Sequence, residues 1–174
     1  MGTLSSADLM DAVEKELNRL YPGEPVYWDY LPKDFKRPCF TLECPRTAGI
    51  DMNAVLVQRE ADILVTCMAK TDAYGDSSRK ELTSRQSTVM DLFAQGFLRV
   101  KDRAVKVSRE KGAQDPALAT VTGLFSWVDG RPGYVDPEAP YDPDNPYDPN
   151  DPNAPAGAKI PRMENFEINE EEIR

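Results

Sequence analysis

The chain has 174 residues, no histidine, 40% apolar and 29% charged residues, and a mean hydropathy of −0.56. Those figures allow one domain of ordinary size with an appendage. The missing histidine excludes His-based acid/base catalysis, Ser-His and Cys-His nucleophile pairs and His-containing zinc sites. The net charge of −9 is unevenly placed: residues 1–131 carry −1 and residues 132–174 carry −8. A near-neutral front part does not suggest a surface built to grip nucleic acid.

Ser5 to Tyr21 is predicted to be a helix. Leu9, Val13, Leu17 and Leu20 recur on one face, Ser5 and Asp8 resemble a capping box, Asp11 and Lys15 are an i,i+4 pair, and Pro22-Gly23 ends it. Val26 to Tyr30 is a short aromatic strand. Pro38 to Pro45 alternates, with Phe40, Leu42 and Cys44 facing one way and Thr41 and Glu43 the other. Arg46 to Asn53 is expected to be a loop. Ala54 to Lys70 is a long strand, polar at its start and buried later, with room for a bend near Glu60-Ala61.

A second helix is expected over Asp76 to Gln95, with Ser78 and Glu81 as a capping box and Gly96 just beyond its end. Its buried stripe is Leu82, Val89, Leu92 and Phe93; Arg79, Lys80, Arg85 and Gln86 lie elsewhere. Phe97 to Val100, Ala104 to Ser108 and Leu118 to Val128 complete the strands. Asp102-Arg103 and Lys111 to Pro116 supply the turns. The order α-β-β-β-α-β-β-β makes residues 1–131 an α+β domain with a mostly antiparallel sheet.

Residues 132–158 differ in kind. Pro137, Pro140, Pro143, Pro146, Pro149, Pro152 and Pro155 recur at every third position, interleaved with Asp136, Glu138, Asp142, Asp144, Asp148 and Asp151. Three residues per turn is the period of polyproline II, and fully extended residues 137–155 would span about 59 Å. The segment is expected to be an acidic spacer, semi-rigid or disordered. Residues 159–174 follow it. There Met163, Phe166, Ile168 and Ile173 stand among glutamates, as in a segment that docks on a partner rather than a frayed end.

Chemical motifs are sparse. Nucleotide-phosphate loops such as GxGxxG and GxxxxGK[ST] do not occur. Glu14 and Glu16 read as a solvated helix face. Cys39, Cys44 and Cys67 are odd in number, without a CxxC, and read as small hydrophobes in a reducing compartment. Asp142, Asp144 and Asp148 lack EF-hand spacing. The Pro-x-x-Pro repeat lacks the basic flank of an SH3-type ligand, and Met1 to Ser6 matches a myristoylation pattern only loosely. The N-terminus is not expected to be a secretory signal, and no run is long and apolar enough to cross a membrane. Neither cofactor nor metal is expected.

In content and order the chain resembles the tail terminator proteins of long-tailed bacteriophages and prophages, especially a group common in Gram-positive hosts. The resemblance rests on the helix that ends near Pro22 and Pro25, followed by Val26-Tyr27-Trp28. Phe35-Lys36-Arg37-Pro38-Cys39-Phe40 leads into the next strand. The strand Gln58 to Met68 and the helix after it also fit, as do Leu98-Arg99-Val100, Leu124 to Val128 and Met163-Glu164-Asn165-Phe166. The Asp-Pro repeat departs from the usual pattern.

The resemblance implies a non-enzymatic virion protein of the tail–neck region, assembled in the bacterial cytoplasm. It would form a homo-oligomeric ring, a hexamer, that caps the tail tube, ends its polymerisation and joins the head-side connector. Its partners would be the tail tube protein, the neck protein and, in a contractile tail, the sheath protein. DNA would pass through the lumen without specific binding, and no membrane would be involved. The rival expectations are another neck or head-completion adaptor, a calcium-dependent binding module using the Asp-Pro repeat, and an enzyme with an unfamiliar site.

Overall fold

The computed structural model describes residues 3–132. The first of two compact units, Met1–Arg131, contains all of the described helices and strands: α1 (Ser6–Leu20), β1 (Val26–Trp28), β2 (Cys39–Asp51), β3 (Leu56–Met68), α2 (Arg79–Ala94), β4 (Phe97–Val100), β5 (Arg103–Gln114) and β6 (Ala119–Gly130). The fold is α+β in the expected order. The six strands form one mixed sheet in the order β1-β2-β3-β6-β5-β4. Only β1 and β2 run parallel; every other pair is antiparallel.

α1 begins as its sequence dictates. The Ser5 backbone N–H donates to the Asp8 carboxylate at 2.9 Å, and the Asp8 N–H donates to Ser5 Oγ at 3.2 Å, so both ends of the capping box are made. Lys101, in the β4–β5 turn, adds its ammonium to Asp8 at 2.7 Å. Leu9, Met10, Val13 and Leu17 form the buried stripe. α1 touches β1, β2 and β4, although three strands separate β2 from β4, so the sheet curves around it.

α2 starts at Arg79 without the expected capping box: Ser78 makes no side-chain cap hydrogen bond. Gly96 stands just past its C-cap with φ +82, the left-handed turn that only glycine takes freely, and its N–H donates to the Phe93 carbonyl at 3.1 Å. Leu82, Val89, Leu92 and Phe93 are buried as expected.

Both helices bury their apolar stripes against one side of the sheet. Phe40 and Leu42 of β2, Ala61, Ile63, Val65 and Cys67 of β3, Val105 and Val107 of β5, and Val121 and Phe125 of β6 meet them in one core. Phe93 and Phe125 pack edge to face with ring centroids 5.3 Å apart. Gly123 is required beneath them, since a Cβ there would lie 2.9 Å from atoms of both rings.

Two expected loops are strand. Arg46 to Asp51 continues β2 and pairs with Val57 to Asp62 of β3. The break that Pro45 suggests is absorbed by a register shift between Glu43 and Arg46; a bulge releases one residue from the ladder and so tolerates a proline without an N–H donor. Lys111 to Gln114 likewise continues β5, and the turn is Asp115 to Leu118, closed by the Asp115 N–H on the Leu118 carbonyl at 2.9 Å. β3 keeps an unbroken register with β6 through Glu60-Ala61, so the expected bend there is replaced by the bulge on β2.

Arg85, expected outside the apolar stripe of α2, is nevertheless buried. Its guanidinium is buried, donating to both Glu24 carboxylate oxygens at 2.6 and 2.8 Å and to Glu81 at 3.1 Å. It stacks over the Tyr21 ring at 5.1 Å and the Phe40 ring at 5.5 Å. Those carboxylates hold its already high pKa higher still. Glu14 is not simply solvated either: it accepts a 2.7 Å hydrogen bond from the Trp28 indole and so ties α1 to β1.

Candidate assembly surfaces

The side of the sheet turned away from the helices is polar and ordered in rows. Thr41, Thr66, Thr120 and Ala113 stand across β2, β3, β6 and β5, followed by Glu43, Leu64, Thr122 and Lys111, then Arg46, Asp62, Leu124 and Arg109. Ser126 has Glu60 on one side and Lys106 on the other, and its hydroxyl lies 3.1 Å from that of Ser108. The acids on β3 have a partner: Arg46 reaches Glu60 at 2.8 Å and Asp62 at 3.9 Å.

At one end this face becomes apolar. Ile50, Gln58 and Val128 are in register, and Leu56 stands two residues from Gln58 on the same side. With Met52 and Val55 of the turn, Ile50, Leu56 and Val128 form an apolar cluster exposed by 36–50%. The hairpin that presents them is firmly built. Asn53 Oδ1 accepts the N–H groups of Val55 and Leu56, each at 2.8 Å, in place of backbone acceptors. The last residues of the domain are fastened to the same hairpin: the Arg131 N–H donates to the Val55 carbonyl at 2.7 Å, while its guanidinium donates to Asp51 and the Asn53 carbonyl.

The local sequence of residues 46–53 predicts a loop, which conceals this cluster. The available signal was the pair Ile50 and Met52, which have no reason to be apolar in a solvated loop. Nearby, the Asp129 carboxylate is buried, holding Arg103 on one oxygen and the Trp127 indole N–H on the other at 2.9 Å. It stiffens the end of β6.

The opposite end of the sheet is organised by the Phe35 to Phe40 stretch that carries the family resemblance. The Arg37–Pro38 peptide is cis. The Arg37 guanidinium donates to the carbonyls of Ala69 and Ala117 at 3.5 and 3.3 Å and to Ser77 Oγ at 3.5 Å. One side chain thus joins the end of β3, the entrance to α2 and the β5–β6 turn. Beyond it Tyr74 projects from the β3–α2 loop, almost wholly exposed.

The cysteines are free thiols: Cys39 and Cys67 are buried and Cys44 is half-buried. Burial pushes all three thiols up, Cys67 to about 12, which makes them poor nucleophiles. Among the described residues no group of three or more Cys, Asp or Glu is arranged to hold a metal. None of their helices is long and apolar enough to cross a membrane. The spacer prolines Pro137 to Pro155 and the docking residues Met163, Phe166, Ile168 and Ile173 lie outside the described residues.

No family model matches the chain, and no curated protein does. A solved structure is similar to it at 20% identity, over 77% of this chain and 100% of its own, with a TM-score of 0.39. A likeness of that degree carries no argument about function.

Proposed function

We propose that the protein is a structural component of a bacteriophage tail, a terminator that assembles as a ring on the end of the tail tube. The ring, a hexamer, stops tube polymerisation and presents the joint for the head-side connector; the chain has no catalytic role. DNA passes through its lumen without specific binding. The sequence resemblance motivates this reading.

The observation that carries it is the exposed apolar cluster of Ile50, Met52, Val55, Leu56 and Val128 at the end of a mainly polar sheet face. Contiguous exposed apolar side chains of this kind mark surfaces that bind other macromolecules. Among the described residues β1 and β4 are the edge strands of the sheet, and strand edges offer unpaired backbone groups to a neighbour. A heterologous contact between unlike surfaces closes into a ring when its rotation divides a full turn.

The arm of residues 132–174 is long enough, if extended, to reach a neighbouring subunit or the sheath of a contractile tail. The segment from Met163 to Ile173 would dock there. The test is to delete residues 132–174 and to mutate the apolar cluster separately, then follow ring formation, tail length and head joining. If both variants formed rings and ended tubes like the parent, the reading would be wrong.

A further inference from the structure

The helix-free sheet face carries a basic strip on its β4–β5 side. Lys106, Arg109 and Lys111 stand opposite Ser126, Leu124 and Thr122, alternate residues of β6, so they point the same way. Arg99 of β4, opposite Ala104, stands in the same face. All four are exposed. Among the described residues none of them makes an ion pair; the eight ion pairs present use other cations. Of the acids on the same face, Glu60 and Asp62 are taken by Arg46, and Glu43 stands on β2, with β3 and β6 between it and Lys111. The strip is thus a row of cations that the domain itself leaves unanswered.

The chain carries a counterpart. Residues 132–174 have a net charge of −8, and none of the cations of the strip belongs to them. Asp136, Asp142, Asp148 and Asp151 differ in position by multiples of three, so in a chain with three residues per turn they would share one edge. Prolines at every third position deprive the segment of many N–H donors, so it is ill suited to extend the sheet and well suited to lie across it by charge.

We propose that the acidic Asp-Pro segment of one subunit lies on the Arg99–Lys106–Arg109–Lys111 strip of a second copy. This rests on the reading that the chain self-assembles, and it assigns the receiving surface for the arm. It gives the repeat a role: an extended, donor-poor polyanion that links subunits without competing for sheet edges.

The test uses the full-length chain. Tyr147 is replaced by a photo-crosslinking benzoylphenylalanine, light- and heavy-isotope preparations are mixed, and crosslinks are mapped by mass spectrometry. The expected result is crosslinking between light and heavy chains within residues 97–111. It should fall at least fivefold from 0.05 to 0.5 M salt and in the K106E/R109E/K111E variant. Exposed sites should let that variant keep its melting temperature.

Crosslinks confined to one chain, crosslinks elsewhere, or indifference to salt and charge reversal would overturn the proposal. So would duplex DNA binding to the full chain through these same three residues, since the strip would then serve nucleic acid. Imaging of the same sample separates the two readings. Rings without the crosslink refute this inference alone, and monomers without it refute the assembly reading as well.

Discussion

Replacing Arg85 with Met tests how the helical layer is locked to the sheet. The substitution keeps most of the volume and removes the charge. The parent guanidinium is only 7% exposed, is held by two carboxylates, and lies over two rings. Removing one partner of a buried ion pair costs about 3–5 kcal/mol, because the other charge is stranded. Glu24 keeps 20% exposure and can rehydrate, which places the loss near 3 kcal/mol. Unfolding entropy of ~2.1 cal/mol/K per residue gives a domain of this size about 0.27 kcal/mol/K, so the melting temperature should fall by about 11 °C. Arg85→Lys keeps the charge but loses the planar fork and the stacking, and should lose about half as much. In the double variant with Glu24→Gln the two losses should not add, leaving a coupling of about 1.5–2 kcal/mol. Thermal melts by circular dichroism at fixed protein concentration measure all four. A melting temperature for Arg85→Met within 2 °C of the parent would refute the reasoning.

Gly123→Ala forces a Cβ to 2.9 Å from the Phe93 and Phe125 rings, and both rings are fully enclosed. A loss of about 1–3 kcal/mol in urea unfolding is expected, largely relieved by adding Phe93→Leu. Asp8→Asn should cost about 1 kcal/mol at neutral pH through the cap. Lys101 and Ser5 hold the Asp8 carboxyl at about 2, below its ordinary 3.8. Its contribution is therefore complete above about pH 4 and lost as pH falls toward 2. Parent and Asp8→Asn melting temperatures should converge across that window, and a constant gap would refute the assignment. Ile50→Lys with Val128→Lys changes exposed positions, so stability should shift by less than about 1 kcal/mol. Self-association measured by sedimentation should weaken at least tenfold.

The element order and the first helix were legible in the sequence because their signals are local: the Ser5/Asp8 cap, the apolar stripe and Gly96 each work within a turn or two of chain. The lengths of β2 and β5 were not. Apart from Ile50, residues 46–51 and 111–114 are polar or small, and backbone pairing with β3 and β6 makes them strand; such pairing leaves little pattern when one side is solvated. The burial of Arg85 is hidden from the local pattern for a related reason. Its burial depends on Glu24, 61 positions away, and an arginine among Lys80, Gln86 and Ser87 reads as surface until that partner is known. The candidate site was hidden by the loop assignment, since Ile50 and Met52 acquire meaning only once Leu56 and Val128 stand beside them.

The central claim is that the chain works by closing into a ring on a tube end, and electron microscopy of the full-length protein mixed with purified tail tubes tests it most directly. The account predicts six-fold discs, of mass near six times 19.5 kDa, seated on one end of each tube, and tubes that stop growing when more tube protein is added. Bare tube ends that continue to grow while the protein stays monomeric would contradict it.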